Sequence, residues 1–134
     1  MNNKNRVLLL DTHVFLWSLK KPQKIGPETV DIMYSASKIY VSVVSLWELA
    51  IKYKAGKFSY STEELIKGLT DSGFELLSFG AEHLRSYNSV LLPHSDPFDA
   101  LLVSQSESES ALFITADKQI LCKTGTYAVF DCAQ

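Results

Sequence analysis

Residues 6–13 read Arg-Val-Leu-Leu-Leu-Asp-Thr-His, four aliphatic side chains in a row that stop on an acid. A strand with one wet face alternates apolar and polar residues. An unbroken apolar run is what a strand covered on both faces carries, and that is the environment of a parallel sheet. The reading is a buried strand over Arg6–Asp11 with Asp11 at its carboxyl end. Thr12–Leu19 follows as a short helix carrying Val14, Phe15, Leu16 and Leu19.

The rest of the chain repeats this alternation. Pro22 and the lysines around it mark a loop, and Pro27–Ser37 reads as a helix with proline near its start. Ile39–Val44 is β-rich. Leu46–Lys54 is amphipathic and stops before Gly56, a helix-ending residue. Thr62–Leu69 is helical, Phe74–Phe79 a strand and Ala81–Tyr87 a helix. Pro97–Glu107 is a helix, Ala111–Thr115 a strand, Asp117–Leu121 a short helix and Tyr127–Phe130 a last strand. Strands alternating with helices predict a single α/β domain over residues 1–134, with a mostly parallel sheet of four to five strands. Residues 1–5 are polar and are expected to fray.

In such sheets, sites lie beyond the carboxyl ends of the strands. Four acids fall there: Asp11 after the first strand, Glu48 after the second, Asp99 early in a late helix, and Asp117 after the fourth. Each has a plain reading as a cap. Asp11 and Asp117 can cap the helices that follow them, and Ser45 with Glu48 fits a capping box. Asp96-Pro97-Phe98-Asp99 reads as an N-cap, a proline at the first helical position and an acid favoured by the helix dipole. Together they say more. Two unit charges about 5 Å apart repel by roughly 3 kcal/mol at an effective dielectric of 20, and caps alone do not demand that four converge. A hard divalent cation, Mg²⁺ or Mn²⁺, does. Such an ion can activate water and stabilise the leaving oxygen of a phosphodiester.

Composition narrows the alternatives. The chain has 134 residues, 46% of them hydrophobic, enough for one packed core. Its net charge is −2, so it does not grip nucleic acid by bulk charge. The charge is uneven: residues 1–67 hold ten basic against six acidic side chains, +4, and residues 68–134 hold three against nine, −6. No apolar run approaches the roughly 20 residues of a membrane span or the about 7–15 of a signal peptide's core, which predicts a cytoplasmic protein. Cys122 and Cys132 lack zinc-site spacing and read as buried thiols. There is no Gly-rich phosphate loop, no Gly-x-Ser-x-Gly and no His-Glu-x-x-His. A phosphoacceptor signalling domain would need an aspartate after the third strand, and residues 75–80 (Glu-Leu-Leu-Ser-Phe-Gly) offer none.

Four stretches now stand out: Leu-Leu-Leu-Asp-Thr-His at 8–13, Val-Val-Ser-Leu-Trp-Glu-Leu-Ala-Ile-Lys-Tyr-Lys at 43–54, His-Ser-Asp-Pro-Phe-Asp-Ala-Leu-Leu at 94–102, and Phe-Ile-Thr-Ala-Asp-Lys at 113–118. In order and spacing they resemble the PIN-domain ribonucleases, and in particular the toxin half of VapBC-type toxin–antitoxin pairs, over about residues 7–130. The resemblance implies a three-layer α/β/α sandwich and an endoribonuclease. It implies Asp11, Glu48, Asp99 and Asp117 as holders of one or two Mg²⁺ or Mn²⁺ ions, with Thr115 in support and Asp96 beside the site. It further implies an RNA substrate, an antitoxin partner and a homodimer. Many relatives follow the third aspartate with arginine; here Ala100 stands there. The alternative is a PIN-fold binding module without catalysis.

The remaining candidates are weaker. His13 and His94 flank the acids and are more often structural than catalytic at such places. Trp17 and Trp47 fit a core or an interface better than base stacking. Lys52, Lys54 and Lys57 read equally as a phosphate-binding patch or a solvated face with a Glu48–Lys52 pair. Phe15, Leu16, Trp17, Leu46 and Trp47 are candidate surface for an inhibitor's helix whose arginine would enter the acidic site.

Overall fold

In the computed structural model, which describes residues 6–90, 96–121 and 129–134, the predicted alternation holds. The elements are β1 (Val7–Leu10), α1 (Thr12–Lys20), a 3₁₀ turn at Pro22–Lys24, α2 (Pro27–Ser35), β2 (Lys38–Ser42), α3 (Val43–Lys54) and α4 (Thr62–Asp71). There follow β3 (Glu75–Leu77), α5 (Ala81–Tyr87), α6 (Pro97–Ser108), β4 (Leu112–Thr115), α7 (Lys118–Leu121) and β5 (Val129–Asp131). The five strands form one sheet in the order β3-β2-β1-β4-β5. Every pairing is parallel.

The aliphatic run Val7–Leu10 is the centre of the sheet, with β2 on one side of β1 and β4 on the other. Its side chains alternate between two cores, as strand geometry requires. Leu8 and Leu10 join Val14 and Phe15 of α1, Ile32 of α2, Leu46 and Leu49 of α3, and Leu65 and Leu69 of α4. Leu9 points the other way, to Leu102 and Val103 of α6 and Ile120 of α7. Helices cover both faces, giving the expected three layers.

The strand-to-helix boundaries depart from the reading at one place that matters. The β-branched pair Val43-Val44 reads as the end of β2, yet it opens α3. The Ser42 hydroxyl accepts from the Val44 N–H at 3.0 Å, and a side chain already capping a helix ends the strand there. At the far end of α3, Gly56 takes φ +75°. It donates to the Tyr53 carbonyl while Lys57 donates to that of Lys52, a left-handed stop that glycine adopts without strain.

The last described residues close on α2. Gly26 N–H donates to the Cys132 carbonyl at 2.9 Å, and Glu28 and Thr29 donate to Gln134 at 2.9 and 3.2 Å. Cys132 is buried, as expected, and its surroundings push the thiol up to about 11, burial first and then Asp131 and Asp11. Residues 1–5, His94 and Cys122, and part of the expected strand 127–130, lie outside the described residues. No helix among the described residues is long and apolar enough to cross a membrane.

Candidate active site

Asp11 extends the ladder of β1, its N–H donating to the Ile114 carbonyl at 2.9 Å, and then caps α1. Its two oxygens are held separately. Oδ1 accepts the Thr12 N–H at 2.7 Å, and Oδ2 accepts the Thr115 hydroxyl at 2.6 Å. At 5% exposure, burial raises the carboxyl above its ordinary value, and these two bonds work against that rise. Thr115 is fully buried at the end of β4 and its oxygen also accepts the Asp117 N–H at 3.0 Å. One hydroxyl thus joins two of the expected acids.

Glu48 arrives differently from the reading. Ser45 does not cap α3; Ser42 does, so Glu48 stands in the second turn of the helix rather than the first. The Ser45 side chain, fully buried, faces α1 instead, with Oγ 2.8 Å from Thr12 Oγ1. Thr12 Oγ1 lies 3.1 Å from Glu48 Oε1, and Lys52 Nζ lies 3.5 Å from Oε2.

Asp99 sits in the first turn of α6, behind the N-cap Asp96, whose carboxylate accepts from Phe98 N at 2.9 Å and Asp99 N at 3.4 Å. Asp117 accepts from Gln119 N at 2.8 Å at the start of α7. The capping readings of Asp11, Asp96 and Asp117 are therefore correct, and compatible with a site. All four predicted acids line one cleft of about 380 Å³, with Thr12, His13, Trp17, Asp96 and Ala116. The electrostatics record the convergence. The Asp99 carboxyl is pushed up to about 8 by desolvation first and then by the charges of Asp11, Asp96, Asp117 and Glu48.

The other candidates separate. His13 is exposed at the rim, its ring tilted against Trp17 at 6.4 Å. Trp47 is 56% exposed rather than core, its ring edge-on to Phe98 at 5.1 Å. Phe15 and Leu46 are buried, so neither offers surface to a partner. Of the lysines, only Lys52 reaches a site acid; Lys54 and Lys57 are exposed and line no part of the cleft. Thr12 and Ser45 were not legible as site residues. The only signal was Thr12's place beside Asp11.

A second group with metal-ligand chemistry, Glu82, His83 and Glu109, lies at α5 and the end of α6. Its histidine is already satisfied. Gly80 N–H donates to Nδ1 at 2.9 Å, so the ring proton sits on Nε2 and faces Glu109 Oε2 at 2.9 Å. This is a buried capping histidine.

The four-acid cleft fits a divalent cation on the chemistry of its donors. All are hard carboxylate oxygens, and desolvation followed by the charges of the neighbouring acids raises Asp99.

A sequence comparison with curated proteins gives no significant match. Solved structures match the fold. VapBC2 from Rickettsia felis, bound to a DNA fragment from its promoter, aligns at 18% identity with TM-score 0.69, over 93% of this chain and 98% of that one. DNA-bound VapBC from Salmonella typhimurium aligns at 17% with TM-score 0.65, over 95% and 98%. VapBC-5 from Mycobacterium tuberculosis, of a toxin–antitoxin family, aligns at 17% with TM-score 0.57, over 96% and 98%. The PIN domain family model matches residues 8–125, and these bounds take in Asp11, Glu48, Asp99 and Asp117. On that match, and on the parallel sheet that carries its acids to one edge, the chain belongs to the PIN domain family.

Proposed function

We propose that this protein is a divalent-metal-dependent endoribonuclease, acting in the cytoplasm as the toxin of a toxin–antitoxin pair. The observation that carries the reading is the convergence of Asp11, Glu48, Asp99 and Asp117, from four separate places in the chain, on one cleft. Family membership supports a nuclease, and the fold neighbours described as toxin–antitoxin systems support an antitoxin partner.

Asp11, Glu48, Asp99 and Asp117 would hold Mg²⁺ or Mn²⁺. The ion, when bound, supplies Lewis-acid stabilisation of phosphodiester oxygens and lowers the pKa of water. The chain's own part is positional. Thr12 and Thr115 fix the two oxygens of Asp11. Thr115 and Asp96 hold the backbone starts from which Asp117 and Asp99 enter the cleft. His13 and Trp17 form the rim against which a nucleotide can lie. Lys52 and Lys54 in the last turn of α3, and Lys57 just beyond its end, are the proposed phosphate contacts.

An inhibitor arginine suits this pocket, since its planar fork bonds two carboxylate oxygens at once. Ala100 puts no cation of its own beside Asp99. A homodimer is part of the same proposal.

The test is RNA cleavage by the purified chain with Mg²⁺ or Mn²⁺, with chelator, and with Asp11→Asn and Asp99→Asn. Cleavage should need metal, give 5′-phosphate and 3′-hydroxyl ends, and vanish in both variants. Unchanged cleavage in chelator, or full activity in both variants, removes the proposal. RNA binding without turnover in the metal-loaded protein selects a binding module.

A further inference from the structure

The hydrogen bonds around Thr12 have a definite direction. Thr12 carries one hydroxyl proton and has two oxygens in reach, Ser45 Oγ at 2.8 Å and Glu48 Oε1 at 3.1 Å. A carboxylate only accepts. Thr12 therefore donates to Glu48, and Ser45 donates to Thr12. The chain Ser45 O–H to Thr12 O–H to Glu48 is sheltered at its origin, with Ser45 fully buried and Thr12 3% exposed. Hydroxyls in series away from water polarise one another toward the terminal charge.

Thr12 has a second bond. Its N–H holds Asp11 Oδ1 at 2.7 Å. A single residue thus grips Asp11 through its backbone and Glu48 through its side chain, so its covalent geometry links two acids carried by different elements. The competing contact is weaker: Lys52 Nζ, on a side chain 45% exposed, stands 3.5 Å from Glu48 Oε2.

We propose that Thr12 and Ser45 are positioning residues, which fix the Glu48 carboxylate relative to Asp11 through a buried hydroxyl relay and so set the metal affinity of the cleft. The inference rests on the metal-site reading above, and the experiment keeps the two apart. Binding of Mn²⁺ alone to the full chain is titrated by the free-ion electron paramagnetic resonance signal. RNA cleavage is measured alongside it, with kcat and KM resolved.

Losing an outer hydrogen bond to a metal-binding carboxylate weakens affinity or activity roughly 10- to 100-fold. Thr12→Val keeps the shape and removes the hydroxyl. It should weaken Mn²⁺ binding about tenfold and lower kcat with KM for RNA unchanged. Thr12→Ser restores the hydroxyl and should return within about twofold of the parent. Ser45→Ala leaves the direct bond but not its polarisation, for a loss of about two- to threefold. In a Glu48→Gln background, Thr12→Val should add less than about twofold, because both act through one carboxylate.

Parent-like Mn²⁺ affinity in Thr12→Val, with Glu48→Gln impaired, overturns the positioning role and leaves the site reading standing. Parent-like Mn²⁺ affinity in Glu48→Gln removes Glu48 as a ligand, and this proposal with it. If Thr12→Val fails to fold, Ser45→Ala decides: unchanged Mn²⁺ affinity there ends the relay, and a loss that Glu48→Gln abolishes supports it.

Discussion

Replacing Asp99 with asparagine should stabilise the metal-free protein, and by an amount that grows with pH. In the unfolded chain Asp99 ionises near 3.8; in the folded cleft it holds its proton up to about 8. Between those values the native state binds the extra proton, so stability falls as pH rises through the window and levels off above about 8. Four units at 1.36 kcal/mol each set a ceiling of roughly 5–6 kcal/mol. Water and counter-ions in the open cleft screen the charges, which halves that figure at least. The helix N-terminus of α6 returns up to about 1 kcal/mol to the carboxylate. A net gain of about 2 kcal/mol for Asp99→Asn remains at pH 8, or roughly 6–8 °C in Tm for a domain of this size. At pH 4 the folded-state carboxyl is protonated and the gain should be close to zero. Thermal unfolding in chelator from pH 4 to pH 9 reads the difference directly. Added Mg²⁺ should reverse the order, because only the parent keeps the whole of the proposed ligand set. A gain equal at pH 4 and pH 8, or a loss at pH 8, would mean that burial and the neighbouring acids do not raise the Asp99 carboxyl.

Three further outcomes follow from particular contacts. Gly26→Ala places a methyl group against the backbone of Ala133 and Gln134. Because that tail cannot give way without breaking its bonds to Glu28 and Thr29, urea unfolding should show a loss of about 1–3 kcal/mol. Cys132, buried with its thiol raised to about 11, should resist a thiol reagent at pH 8 until the protein is unfolded. RNA binding should weaken with salt along a log–log slope near −2, the value for about three phosphates on a single strand; a slope several-fold steeper would reveal a basic surface beyond Lys52, Lys54 and Lys57.

Much of this arrangement can be read from the sequence, for physical reasons. The aliphatic run 7–10 has to be covered on both faces, and a parallel sheet gathers the starts of the helices that follow its strands at one edge. Those two facts bring Asp11 and Asp117 together before any coordinate is known. What could not be read depends on which of several equivalent groups wins a local contest. Ser42 and Ser45 can each cap α3, and intrinsic preference favours Val43-Val44 in a strand. Ser42 wins within the fold, where its hydroxyl also donates to Gln105 of α6, a contact 63 residues away. That outcome frees Ser45 to turn toward Thr12. Likewise Phe15 and Leu46 sit on amphipathic helices whose apolar stripe could face a core or a partner, and only packing against Leu8 and Leu10 decides it.

The central place of β1 has a consequence in time. The strand made first is flanked by β2 and by β4, and the bond from Thr115 to Asp11 spans 104 residues. At synthesis rates of about 5–20 residues per second, Asp11 waits on the order of 5–20 s for the hydroxyl that orients it, and for Asp117. A nascent chain that stops just before β4 carries Asp11, Glu48 and Asp99 but lacks Thr115, Asp117 and the strand beside β1. Whatever chemistry the cleft performs therefore starts only after nearly the whole domain has been translated. Fragments ending before β4 lack Thr115 and Asp117 altogether and should therefore show none of the proposed activity.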